Sequence, residues 1–184
     1  MADVALVLSK VKVYQNHPIP GQPFADIFPI FRDPAATEAV ASHLVDHIRS
    51  THDVSEIGSL VCIESRGFFI GLVVASRLGL PCVPVRKQGK LPGEKISMAY
   101  DREYGPDVME IKTDAFEGID GKKKVLLIDD LLAKGGTILA AKKLVEKLGM
   151  EVVECVFIFD IPAYYTVLQK KLGNLPWYAM VHLD

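Results

Sequence analysis

Val125-Leu-Leu-Ile-Asp-Asp-Leu-Leu-Ala-Lys-Gly-Gly-Thr137 packs a strand, a turn and a helix start into one short stretch. Val125 to Ile128 read as a buried strand, and two adjacent carboxylates, Asp129 and Asp130, close it. A Gly135-Gly136-Thr137 turn follows. The spacing predicts a helix over Thr137–Leu148, with Ile138, Ala141, Leu144, Val145 and Leu148 on its inner side and Gly149 as its stop. Carboxylates accept hydrogen bonds from vicinal hydroxyls, glycines let backbone N–H groups crowd around an anion, and a helix N-terminus adds positive potential. Acid pair, amide nest and hydroxyl within one turn suit a ribose 5-phosphate, with sugar hydroxyls at one end and phosphate at the other. The plainer alternative is a polar strand exit followed by an ordinary Gly-Thr helix start. A phospho-receiver domain also ends a strand on paired acids, but near its beginning and without Gly-Gly-Thr. The chain has neither a P-loop nor a Gly-x-Gly-x-x-Gly motif.

On either side of this stretch, apolar strands alternate with helical patterns. Ser59–Ile63 and Pro81–Val85 read as strands around a Gly67–Leu78 helix, Val108–Lys112 as another strand, and Val152–Phe159 as a long one before a helix near Pro162–Leu172. Asp33-Pro34 starts a helix whose stripe is Val40, Leu44, Val45 and Ile48. A short helix is expected over residues 1–15, and the Pro/Gly-rich stretch from Asn16 to Pro23 reads as extended loop or turn. Strands alternating with helices predict an α/β fold, a parallel twisted sheet flanked by helices. In such sheets ligands sit beyond the carboxyl ends of the strands, where the acid pair falls. The 184 residues fit a single domain.

Composition narrows the function classes. With 49% hydrophobic and 24% charged residues the chain is an ordinary globular protein rather than a disordered one. Its 21 basic and 23 acidic residues give a net charge of −2, so no global field favours nucleic acid. No apolar run approaches the ~18 residues of a membrane span. The first ten residues do not read as a signal peptide. Cys62, Cys82 and Cys155 sit scattered in apolar runs without a C-x-x-C, which predicts buried reduced thiols in a cytoplasmic protein.

Other turns repeat the theme. In Glu64-Ser65-Arg66-Gly67 an apolar strand meets a polar turn, a glycine and a helix, so Ser65 and Arg66 can hold a second anion; the simpler reading is a helix capped by Ser65. Arg86-Lys-Gln-Gly-Lys-Leu-Pro-Gly93 places cations in a Gly/Pro-punctuated loop at the end of a third strand. Alone it would be a solvated charge run; beside two anion-suited turns it reads as a pyrophosphate clamp. Lys87 to Gly105 shows little apolar periodicity and reads as a mobile lid, about 87–107. His43 and His47 lie one helical turn apart but have no obvious third ligand, and are expected to flank the apolar stripe. Lys122-Lys123-Lys124 reads as a solvated turn.

The acid-pair loop resembles the 5-phosphoribosyl 1-pyrophosphate (PRPP) signature of the type I phosphoribosyltransferases. Phe24-Ala-Asp-Ile27, Glu64-Ser-Arg-Gly-Phe68, Arg86-Lys-Gln-Gly-Lys-Leu-Pro-Gly93 and Glu103-Tyr-Gly105 resemble the adenine branch of that family. The likeness runs from about residue 18 to 160. It implies a type I fold with a small N-terminal hood, mainly residues 1–32, and phosphoribosyl transfer from PRPP to adenine with Mg²⁺, giving AMP and pyrophosphate in purine salvage. A different purine base, or a non-catalytic PRPP-binding regulator, are the alternatives. By the same resemblance Asp129 and Asp130 hold the ribose hydroxyls. Ala133, Lys134, Gly135, Gly136 and Thr137 cradle the 5-phosphate. Ser65, Arg66, Lys87, Lys90 and Tyr104 bind pyrophosphate. Glu103 moves a proton at the adenine ring, and Phe24, Ala25 and Ile161 line the base site. No protein ligand for the metal is assigned. A homodimer is implied, with Arg86 near the neighbouring subunit's site. The chain departs from the family pattern at Lys134, where Thr is usual, at Ala25, where Arg is usual, and after Asp160, where a Gly-Arg element is missing.

Overall fold

The computed structural model describes residues 2–17, 20, 24–102, 105–119 and 121–183, with only the backbone path at 2, 101, 102, 105 and 106. Glu103 and Tyr104, two expected site residues, lie outside the described residues, as does part of the Asn16–Pro23 loop.

The chain opens with helix α1 (Ala2–Lys10), strands β1 (Lys12–Tyr14) and β2 (Phe24–Asp26), and the short helix α2 (Phe28–Phe31). Beyond them run α3 (Pro34–Thr51), β3 (Ile57–Ile63), α4 (Gly67–Leu78), β4 (Cys82–Lys87), β5 (Lys95–Arg102), β6 (Gly105–Lys112), β7 (Lys124–Leu132), α5 (Gly136–Lys147), β8 (Glu151–Asp160), α6 (Tyr165–Leu172) and β9 (Trp177–His182). The seven-stranded sheet has the order β5-β6-β4-β3-β7-β8-β9. Its pairings from β4 to β9 are parallel, and β6 and β5 extend it antiparallel. The expected parallel α/β sheet flanked by helices is present, with a hairpin added at one edge. β1 and β2 form a separate two-stranded sheet.

Period-two alternation along the central strands builds two cores at once. Leu60, Cys62, Leu126 and Ile128 face α3 and α4, whereas Val61, Ile63, Val125 and Leu127 face α5 and α6. α3 begins as its sequence dictates: the Asp33 carboxylate accepts hydrogen bonds from the Ala35 and Ala36 amides at 2.9 and 3.2 Å, with Pro34 at the first position. His47 and His52 bond Glu154 of β8, and His43 bonds the Tyr178 hydroxyl of β9. These histidines therefore tie α3 to the sheet. Pro84 sits in β4, where β6 pairs only with Arg86 and Lys87, so its missing N–H costs no ladder bond.

Several sequence expectations are corrected. The first helix ends at Lys10 and gives way to β1. The segment after Lys87 is not free of regular structure: Lys95–Arg102 pairs with Gly105–Lys112 over its whole length. The strand of the acid pair does not stop at Ile128. It runs to Leu132 because β8 keeps pairing it, Leu131 with Phe159 and Leu132 with Asp160, and backbone pairing is indifferent to side-chain polarity. β9, parallel to β8, has no counterpart in the sequence reading.

Candidate active site

Strand order creates the site. From β3 the chain crosses by α4 to β4 on one side, and from β7 by α5 to β8 on the other. β3 and β7 are therefore neighbours whose connections diverge, leaving a crevice at their carboxyl ends. The Glu64–Gly67 turn and the Asp129–Thr137 segment open into that crevice. They touch there: Arg66 Nε lies 3.0 Å from Asp130 Oδ2.

The approach of the two turns depends on Gly67. A Cβ at that position would stand 2.9 Å from Asp129 Oδ1, 2.9 Å from the Ile128 carbonyl oxygen and 3.0 Å from Asp129 Cα. The first turn of α4 thus lies directly against β7, which an alanine would not allow.

Asp130 is only 4% exposed, and Oδ2 has no hydrogen bond of good geometry despite the nearby guanidinium. A buried anionic oxygen held by charge alone is suited to accept from a ligand hydroxyl. Asp129 Oδ1 accepts the Asp130 amide at 2.9 Å. Burial, and then the neighbouring Asp130 charge, push the Asp129 carboxyl well above the ordinary carboxylate range.

Both helices that face the crevice begin without a side-chain cap. At α5 the capping position is Gly135, at φ 74°, a left-handed turn that favours glycine. A Cβ there would also strike Leu168 at 2.6 Å. The first amides of α5 are left for an anion, whereas those of α3 are taken by Asp33. Ala133 and Thr137 are half-buried around this turn, Gly136 opens the helix, and Lys134 is exposed with its ammonium 5.4 Å from the Tyr164 ring. Lys171 of α6 donates to the Lys134 carbonyl at 2.9 Å, which anchors the loop from behind.

The third turn is tied to the second by Glu64. Its carboxylate accepts from Arg86 Nε at 3.1 Å and from the Lys87 amide at 2.9 Å. Burial alone would raise the Glu64 carboxyl; the Arg86 guanidinium and Lys87 amide outweigh it and hold the carboxyl below its usual range. Arg86 also donates to the Lys90 carbonyl at 3.1 Å. Lys87 Nζ lies 3.7 Å from Asp107, Lys90 is exposed, and Ser65 is exposed on the turn itself. Phe24 of β2 brings the N-terminal segment to the site, with its ring 5.7 Å from the Arg66 guanidinium. Ala25 beside it pairs with Val13. Ile161 follows β8, half-buried, its amide donating to Leu132.

Sequence reasoning had left Glu64 and Lys171 without roles. Glu64 carried one signal, its place immediately before Ser65-Arg66. Lys171 carried none, because its partner is a backbone carbonyl far away in the chain.

A family model described as phosphoribosyl transferase domain matches residues 30–176. Adenine phosphoribosyltransferase of Cricetulus griseus is 39% identical over 183 residues, covering 100% of this chain and 98% of its own. The adenine phosphoribosyltransferase structure from Thermoanaerobacter pseudethanolicus superposes with a TM-score of 0.87 at 34% identity, covering 98% of this chain and 99% of that one. That from Saccharomyces cerevisiae, complexed with an imino-altritol bisphosphate and adenine, gives 0.84 at 33% identity, covering 98% and 99%. The two apposed anion turns thus sit in a sheet shared with these proteins over nearly their full length, and the chain belongs to the adenine phosphoribosyltransferase family.

Proposed function

We propose that the protein transfers the 5-phosphoribosyl group from PRPP to adenine, releasing pyrophosphate and forming AMP in purine salvage. The observation that carries this reading is the meeting of Arg66 with Asp130 at the switch point of the sheet. It sets a pyrophosphate-suited cation directly against a hydroxyl-suited acid. The yeast relative's complex with adenine supports the choice of base.

The chain's own residues then divide the work. Asp129 and Asp130 accept the ribose hydroxyls, and the Ala133–Thr137 amides hold the 5-phosphate at the α5 N-terminus. As the hydroxyls engage Asp130, Arg66 is freed to join Ser65, Lys87, Lys90 and Tyr104 on the pyrophosphate. The leaving group departs as positive charge builds at C1, so cations fixed around it lower the barrier. Glu103 handles the proton of the adenine ring between Phe24, Ala25 and Ile161. Mg²⁺ bound with PRPP would supply further neutralisation of the pyrophosphate. Asp130 is the residue that would face such an ion, its buried Oδ2 carrying no hydrogen bond.

The β5–β6 hairpin is the lid in this reading. It joins β4 at Arg86 and Lys87, and it borders a hollow of about 210 Å³ against the first turn of α5, lined by Met98, Tyr100, Gly136 and Lys171 among others. Closing it over the crevice keeps water from the cation-like sugar. We place the protein in the cytoplasm as a homodimer. What supports dimerisation is an exposed apolar cluster: Phe28, Phe69 and Leu72 are 45, 53 and 61% exposed, with the Phe69 ring against those of Phe28 and Phe31. Arg86 then stands near the neighbouring subunit's site.

Incubation with Mg·PRPP and each of adenine, hypoxanthine, guanine and xanthine tests the reading. Adenine should give AMP at by far the highest kcat/KM; turnover of an oxopurine without AMP would overturn it.

A further inference from the structure

Two thiols that no step of this reaction uses lie side by side on the α4 face of the sheet. Cys62 Sγ of β3 and Cys82 Sγ of β4 are 3.1 Å apart. The register pairs Cys82 with Leu60 and Cys62 with Pro84, so the two cysteines share a face on a diagonal. Cys62 is fully buried beneath α4, in a space that Gly71 leaves open: a Cβ there would come within 2.4 Å of its sulfur. Cys82 is half-buried and within reach of solvent. Both strands lead into the site. β3 passes from Cys62 to Glu64, Ser65 and Arg66, and β4 from Cys82 to Arg86 and Lys87, with the Glu64–Arg86 pair bridging their ends.

We propose that Cys62 and Cys82 are a peroxide-responsive pair whose disulfide pulls β3 and β4 together behind the pyrophosphate turns and weakens PRPP binding. Cys82 is the thiol that reacts first. It is the less buried partner, and the hydrogen bond from Cys62 lowers it to about 7 against the opposing effect of burial, whereas Cys62 is raised. The Cys82 thiolate attacks one oxygen of hydrogen peroxide and the O–O bond breaks. Hydroxide leaves, takes up a proton as water, and the sulfur becomes a sulfenic acid. The Cys62 sulfur then attacks the Cys82 sulfur and the S–O bond breaks. The hydroxyl leaves as water with the Cys62 proton. Two thiols and one peroxide give one disulfide and two waters, and a dithiol reverses the change. Bringing the sulfurs from 3.1 Å to bonding distance requires an approach of about 1 Å, shared between rotation of the two side chains and movement of the two strands. That displacement is what reaches the turns, where misplacement of about 1 Å is costly.

The test uses the whole protein, treated with hydrogen peroxide beside Cys62→Ala and Cys82→Ser. Thiol titration and peptide mass mapping should show the three free cysteines of the untreated chain reduced to one, with a 62–82 cross-linked peptide that dithiothreitol removes. The KM for PRPP should rise about fivefold or more in the oxidised wild type and stay constant in both variants. Three surviving thiols, or Cys82 driven to sulfinic acid with Cys62 free, would overturn the pair. A bridge that leaves the KM unchanged would overturn its effect on binding. The kinetic half rests on the function proposed above, but the bridge is read without any activity. Failure of untreated protein to form AMP would count against that function and leave the bridge standing.

Discussion

Replacing Gly67 with alanine adds a single methyl group at the contact between the two anion turns. The new Cβ would lie 2.9 Å from Asp129 Oδ1 and from the Ile128 carbonyl oxygen, and 3.0 Å from Asp129 Cα. Ordinary contact begins near 3.5 Å, so α4 must retreat from β7 by roughly half an ångström. Overpacking of this kind costs about 1–3 kcal/mol, and the better helix propensity of alanine returns less than about 1 kcal/mol. A net loss of about 1–2 kcal/mol lowers Tm by roughly 3–6 °C in a domain of this size. The same retreat carries Arg66 away from Asp130, so the KM for PRPP should rise about tenfold or more. Gly58→Ala is the matched control. Its Cβ would strike Ile119 Cγ2 and the Lys122 carbonyl oxygen, each at 2.8 Å, at the opposite end of β3. It should lower Tm comparably and leave PRPP kinetics unchanged. Thermal melts and steady-state assays at saturating adenine separate the two. If Gly67→Ala keeps the wild-type KM, or Gly58→Ala loses it equally, the contact between turns does not govern binding.

Asp129→Asn should keep the bond to the Asp130 amide while removing a like charge beside Asp130, raising Tm by about 2–4 °C (about 1 kcal/mol) and weakening PRPP binding. A lower Tm would show that the Asp129 charge is not a strain on the free protein. Glu64 gives a pH dependence whose sign is fixed by its lowered carboxyl. Its contribution is present above the ordinary value of 4.5 and is lost as pH falls through the lower folded value. Glu64→Gln should therefore cost about 1–2 kcal/mol near pH 7, discounted for partial exposure, and the Tm gap to wild type should narrow below about pH 4.5. A gap constant with pH would mean that Glu64 acts through packing and not through its charge on Arg86.

The legible parts were those encoded by near neighbours. Val125–Thr137 shows its acids, glycines and helix in one stretch, and Gly67–Leu78 is helical over the range its pattern predicts. Val108–Lys112 was read as a strand, but its hairpin partner Lys95–Arg102 was missed because Gly89, Pro92 and Gly93 mark the entrance as a loop. Its own period-two signal, Ile96, Met98 and Tyr100 packed on the α5 side, is short and broken by small residues. β9 was missed because a six-residue run after Pro176 gains its identity only from the β8 edge beside it. The Arg66–Asp130 and Glu64–Arg86 pairs lay beyond reach for another reason. Each joins different strands, and their meeting depends on the order β4-β3-β7, which no local pattern specifies.

In the proposed function Asp130 is the acid that accepts a PRPP hydroxyl while releasing Arg66 to the pyrophosphate. Calorimetric titration of Mg·PRPP into wild type and Asp130→Asn addresses it without any need for turnover. Loss of at least tenfold in Kd, about 1.4 kcal/mol or more, is the predicted result. Equal affinity in the two proteins would contradict the assignment of the acid pair to the ribose.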